Sequence, residues 1–189
     1  MKRLASVLAF AILATASFAQ APKSANDLVS AARAAASKSG KVPFVRFTAS
    51  WCGWCHKMQG VLDKPEIKAI WDKYFVSTPI VVLENGEKEK LENPGGEALM
   101  ESVGGKDQGI PFFYFADAKT GKMIVNSLKG PAGEITCNGF SKGTNIGCPY
   151  EPDEIAFFMT ILKKAAPKMT EAERAKIQEA FGSLKKAGG

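Results

Sequence analysis

The chain has 189 residues, enough for one domain of ordinary size. It is 46% hydrophobic and 23% charged, a balance that excludes a disordered chain, a collagen-like repeat and a multi-span membrane protein. Four cysteines are too few for a disulfide-dense miniprotein, and a net charge of +6 without basic stretches interleaved with aromatics leaves no nucleic-acid footprint.

Residues 1–19 have the plan of a secretory signal peptide. Lys2 and Arg3 give a positive start, an apolar run extends from Leu4 to Phe18, and Ser17 and Ala19 are small residues placed for cleavage before Gln20. A retained anchor is the competing interpretation, but the run falls short of the roughly 20 apolar residues a span needs. No cysteine sits near the cut, which argues against a lipid anchor. Cleavage leaves residues 20–189 and, with Lys2 and Arg3 gone, lowers the charge from +6 to +4.

Asn26 or Asp27 is placed to cap a helix ending near Ser39, with Gly40 as its stop. Val42 to Thr48 has the composition of a buried strand, and residues 49–55 turn from it into a helix carrying Met58 and Leu62. Pro65 suits the first turn of a further helix bearing Ile67, Ile70 and Trp71. Val76 to Leu83 forms a second apolar strand, where Pro79 requires an edge position or an irregularity. Residues 84–97 form a charged, solvated excursion to which no function is assigned, followed by a short helix near 97–103.

Phe112 to Ala116 and Lys122 to Leu128 pair as a hairpin around Lys119-Thr120-Gly121. A loop rich in Gly, Asn and Ser spans about residues 129–150 and holds Cys137 and Cys148. Two amphipathic helices close the chain, one over about 153–165 and one opened by a Thr170-to-Glu173 capping box. This order gives an α/β fold: a mixed sheet with helices on both faces, plus a C-terminal helical extension. The domain boundaries are 20–166 for the globular unit and 167–189 for the extension.

The chemistry concentrates in Trp51-Cys52-Gly53-Trp54-Cys55-His56, at the turn from a buried strand into a helix. A sulfur at a helix N-terminus faces unpaired N–H groups that favour negative charge, and this lowers a thiol pKa from about 8.5 toward 3.5–7.5. Cys52 is therefore expected to be the exposed nucleophile, and Cys55, one turn inward, the resolving thiol. An inert staple is the competing role, weakened because so short a loop gains little unfolded-state entropy.

These residues resemble the thioredoxin superfamily over roughly residues 25–165. The likeness rests on the C-x-x-C with Trp51 before it and on Gly109-Ile110-Pro111 just before a strand. The resemblance implies a thioredoxin-like sheet, a cis Pro111 facing the cysteines, and substrate binding by Trp51, Trp54, Ile110 and Pro111. The Ile110 backbone would hydrogen-bond an extended substrate segment.

The chain departs from thioredoxins proper in Gly53-Trp54, where they usually carry Gly-Pro, and in Arg46, where they carry a buried acid. Arg46 either favours a thiolate or snorkels to solvent. The motif is closer to secreted thioredoxin-like proteins. It implies an exported thiol–disulfide oxidoreductase, periplasmic or secreted, with protein thiols and disulfides as substrates. No flavin or dinucleotide fingerprint is present, so an upstream protein must donate or accept the electrons.

His56, the single histidine, completes Cys-x-x-Cys-His, the attachment signature of c-type haem. A haem electron carrier is thus a rival, set against the preferred role of His56 as a residue that tunes the thiol. A third possibility is a non-catalytic binding module using the aromatic surface at Trp51 and Trp54. No cofactor beyond the Cys52–Cys55 disulfide and no metal is expected. For Cys137 and Cys148 the simplest pairing in an oxidising compartment is with each other, as a structural bridge worth about 3 kcal/mol by loop entropy. A redox relay and a four-cysteine zinc site are the alternatives.

Overall fold

The computed structural model describes residues 21–135 and 143–186. The expected signal peptide, 1–19, lies outside the described residues. Among them, no helix is long and apolar enough to cross a membrane.

Helix α1 (Ala25–Ser39) starts one residue before the expected cap. Ser24 is the cap: its Oγ accepts from the Asp27 N–H at 3.1 Å and donates to Asp27 Oδ2 at 2.7 Å. Gly40 ends the helix in the left-handed region at φ 67°, which a Cβ would strain. Strand β1 (Val42–Thr48) follows, then α2 (Gly53–Leu62), α3 (Pro65–Tyr74) with its proline in the first turn, and β2 (Phe75–Val81). The chain continues through a 3-10 turn (Gly86–Leu91), the short α4 (Gly96–Met100), β3 (Phe112–Ala116), β4 (Met123–Asn126) and a small ribbon of β5 (Leu128–Lys129) and β6 (Thr144–Asn145). Helices α5 (Pro152–Ala165) and α6 (Glu171–Lys186) complete it.

The main sheet has the order β2-β1-β3-β4. β1 runs parallel to β2, in register from Val42–Phe75 to Thr48–Val81, and antiparallel to β3; β3 and β4 form the expected hairpin. This is the mixed sheet anticipated from the element order, and β2 is its edge, where the missing N–H of Pro79 is tolerated. β2 stops two residues short of Leu83: the Val81 N–H is taken by Asn93 Oδ1 at 2.7 Å, and Leu83 itself turns to φ 55°.

Alternate residues of β1 and β3 face opposite cores. Phe44, Phe113 and Phe115 pack with α2, α3, α5 and α6 on one side. Val45, Phe47, Phe112 and Tyr114 pack with α1 and α4 on the other. Burial on both faces explains why these strands are almost continuously apolar. Trp71 seats α3 on the first core, with its ring 5.0 Å from Phe44 and 4.5 Å from Phe75. The last helix belongs to the same core: Ile177 and Phe181 are fully buried, and Phe181 meets Phe158 edge-on at 5.2 Å. The expected capping box forms, with the Glu173 N–H on Thr170 Oγ1 and the Thr170 N–H on Glu173 Oε2.

Candidate active site

β1 delivers the chain at the centre of the sheet to a tight turn, Ala49–Trp51, from which α2 departs. Cys52 is the N-cap of α2, and its Sγ accepts from the Cys55 N–H at 3.1 Å. An N-cap side chain normally supplies an oxygen for this purpose; here sulfur does so, which places it on the orphan donors of the first turn. Cys52 and Cys55 are joined as a disulfide, with Cα atoms 5.2 Å apart.

One expectation fails in detail. Cys52 is not an exposed residue: it is 3% exposed against 1% for Cys55. Ala49 and Ile110 pack over the pair and close the space a free helix start would leave open.

Three contacts hold the turn. First, the carboxylate of the buried Glu84 accepts from the Ser50 N–H at 2.6 Å and from Ser50 Oγ at 2.8 Å, with Lys88 Nζ donating to the same hydroxyl at 3.1 Å. Second, the indole of Trp51 donates to the Leu83 carbonyl at 2.6 Å, although the ring is 53% exposed. Third, His56 Nε2 lies 2.9 Å from the Ser50 carbonyl, so the ring ties α2 back to the turn. The last two clamps use residues picked out in the sequence. Glu84 does not: it falls in the excursion given no function, and an acid at a strand end carries no local signal of what it will meet.

Opposite the cysteines, the Ile110–Pro111 peptide is cis. The Ile110 carbonyl oxygen lies 3.5 Å from Cys52 Sγ. This loop is pinned from the far side by Asn145, whose Nδ2 donates to Gly109 O at 2.6 Å and Pro111 O at 3.1 Å. The loop of residues 129–150 thus supplies a residue that shapes the site, by a contact across 36 residues that no sequence pattern announces. A groove of about 360 Å³ runs from here, lined by Trp54, Ile110, Pro111, Asn145, Cys148 and Tyr150 among others. Trp54 stacks on Tyr150 at 4.6 Å, with Lys57 Nζ 4.1 Å above the indole. A larger cleft of about 600 Å³, bordered by Lys129, Asp153 and Glu154, shares residues 144–146 with this groove but has no sulfur among the described residues of its lining.

Arg46 does not snorkel to solvent. It is 6% exposed beneath α2, with Nη1 donating to the Cys55 carbonyl at 3.3 Å and Nη2 to Gln59 Oε1. Strand alternation puts it on the α2 face beside Phe44, so its stem runs into the core rather than outward.

Among the described residues Cys148 is a free, buried thiol; its expected partner Cys137, and with it the expected Cys137–Cys148 bridge, lies outside them. Burial, then the charge of Glu154, pushes the Cys148 thiol up to about 12, against a downward pull from Lys57 and Arg46. Among the described residues, no group of three or more His, Cys, Asp or Glu side chains converges as a metal cage.

Residues 25–118 match the family model described as thioredoxin-like. No curated protein matches the chain. Similar solved structures include a disulphide isomerase from Xylella fastidiosa, at 19% identity over 92% of this chain and 97% of that one, with a TM-score of 0.47. The oxidised C-terminal domain of DsbD from Neisseria meningitidis is 19% identical over 65% of this chain and 90% of that one, with a TM-score of 0.40. A thioredoxin from Thermus thermophilus is 19% identical over 77% and 90%, with a TM-score of 0.39.

Proposed function

We propose that this chain, a member of the thioredoxin superfamily, is an exported thiol–disulfide oxidoreductase acting on protein substrates through Cys52 and Cys55. The observation that carries the proposal is the bonded pair at the start of α2. Cys52 Sγ receives the Cys55 N–H and lies beside the carbonyl of Ile110, a residue that lines the groove. In the reduced protein the same N–H is aimed at the sulfur, where it favours the thiolate.

The cycle balances as two displacements. The Cys52 thiolate attacks a substrate disulfide, forming a mixed disulfide and expelling one substrate thiolate. The Cys55 thiolate, formed by losing its proton to solvent, then attacks Cys52 Sγ. It expels the second substrate thiolate and closes the Cys52–Cys55 bond. The substrate gains two electrons and, on protonation, two protons; the protein loses the same. Run in reverse, the steps oxidise a substrate dithiol.

Pro111 and the Ile110 backbone form one wall of the groove and the Trp54–Tyr150 stack another, which fits an extended segment bearing the reacting sulfur. A protein partner restores the pair after each turnover. Export rests on the signal-peptide pattern of residues 1–19. The tie between His56 and Ser50 supports disulfide exchange over haem attachment, because an axial ligand needs that ring free. The test is insulin reduction by the wild-type chain and by Cys52→Ser. The variant is expected to fold, since serine is a good N-cap, and to fall to the uncatalysed rate. Full activity in Cys52→Ser contradicts the assignment.

A further inference from the structure

Arg46 is the charged residue of the central strand β1, and the exchange cycle above does not use it. Its guanidinium is buried under the first turns of α2, and its two recorded acceptors, the Cys55 carbonyl and the Gln59 side-chain oxygen, are both neutral. Among the described residues no carboxylate comes within ion-pair distance of it. The acid nearest in the network is Asp63, at the end of α2, joined through Gln59, whose Nε2 donates to Asp63 Oδ1 at 2.8 Å. Asp63 is exposed. Lys68 and Asp72 on α3 border the same small cavity of about 90 Å³, but they pair with each other. The Cys148 thiol also acts electrostatically on the guanidinium, and its burial keeps it protonated. Burial draws the guanidinium's pKa down from its ordinary value, with Asp63 and Cys148 acting the other way; an arginine remains a cation throughout.

A buried cation without a carboxylate is costly to the fold unless some state of the protein supplies negative charge. The oxidised cysteine pair is neutral and supplies none. The reduced pair supplies a thiolate, on the same turn of helix that the guanidinium supports. Resting on the oxidoreductase reading, we infer that Arg46 is a positioning residue whose buried charge stabilises the anionic sulfur of the reduced pair, making the Cys52–Cys55 disulfide easier to reduce. The relevant equilibrium is protein disulfide plus two glutathione thiols giving protein dithiol plus glutathione disulfide. When one protein thiol ionises, its proton goes to solvent. Stabilising that anion draws the equilibrium toward the reduced protein.

The experiment equilibrates wild type, Arg46→Met and Arg46→Lys with glutathione buffers. The reduced fraction is read by alkylation and mass spectrometry, and the thiolate is titrated by its ultraviolet absorbance. Arg46→Met is expected to lower the equilibrium constant for reduction about tenfold, equal to about 30 mV, and to raise the thiolate midpoint. Arg46→Lys, which keeps the charge, is expected to stay within about threefold of wild type. Equal constants and equal midpoints in wild type and Arg46→Met, with only thermal stability altered, overturn the inference. If Arg46→Met does not fold, Asp63→Asn decides. Removing the opposing exposed charge is expected to raise the constant about twofold, and no rise overturns the inference. A wild-type pair that fails to exchange with glutathione at all would instead sink the oxidoreductase reading.

Discussion

Cys52 and Cys148 are buried to nearly the same degree, 3% and 4% exposed, in surroundings that differ. Cys52 caps a helix and takes the Cys55 N–H at 3.1 Å. Cys148 sits beside Ile146 and Ile155 in the main core, where burial and Glu154 hold its thiol up at about 12. On the proposed function, what separates the two sulfurs is the N–H aimed at Cys52, not access to water. The groove is lined by Cys148 and by Ile110, whose carbonyl lies 3.5 Å from Cys52 Sγ.

The largest expected effect concerns that contrast directly. In the reduced chain at pH 8, iodoacetamide should modify Cys148 about 10³-fold more slowly than an ordinary cysteine titrating at 9.0, because so little of it is thiolate. Comparable labelling of Cys148 and Cys52, followed by peptide mapping, would erase the distinction. The same shift sets an alkaline limit. The folded thiol keeps its proton up to about 12 while the unfolded one ionises near its ordinary 9.0. Stability is therefore intact below about 9 and falls as pH rises toward about 12. Urea titrations of the reduced chain across that range should show the loss in wild type and a smaller one in Cys148→Ala.

A middle-sized effect concerns the clamp on the Cys52 side. Glu84→Gln leaves one oxygen to serve two Ser50 donors and turns an amide N–H₂ toward them. We expect about 1–3 kcal/mol of lost stability in urea unfolding and a several-fold fall in insulin reduction. Unchanged activity would show that the turn holds Cys52 without Glu84. The smallest effect lies far from both sulfurs. Glu173 is held down from its ordinary 4.5 to about 2, first by Lys73, then by the Thr170 N–H and the Tyr74 hydroxyl. A carboxylate lowered in this way stabilises the fold above about 4.5, and the benefit is lost as pH falls toward about 2. Solvent screening keeps it modest. Thermal melts of Glu173→Gln and wild type should differ at neutral pH and converge at the acid end.

The fold is readable in the sequence wherever a pattern is local. The buried strand Val42–Thr48, the proline opening α3, the hairpin turn and the Thr170 capping box follow from periodicity and punctuation. So does the motif that forms the site. The sequence is silent where two distant segments meet. Glu84 reaches Ser50 across 34 residues, and Asn145 reaches Gly109 across 36. Arg46 shows the limit most clearly. Its charge suggests solvent, but the strand's alternation and the helix above it bury it, and only packing decides between them. The capping of α1 by Ser24 instead of Asn26 or Asp27 is a smaller case, in which several capping residues lie close together and the geometry selects one.

The most direct test of the two-cysteine account is to trap its intermediate. Cys55→Ser, incubated with a disulfide-bonded substrate and mapped by mass spectrometry, should carry substrate on Cys52 through a reducible mixed disulfide, and Cys148 should stay unmodified. Substrate linked to Cys148, or no adduct on Cys52 in a folded variant, would contradict the assignment of Cys52 as nucleophile and Cys55 as the thiol that releases it.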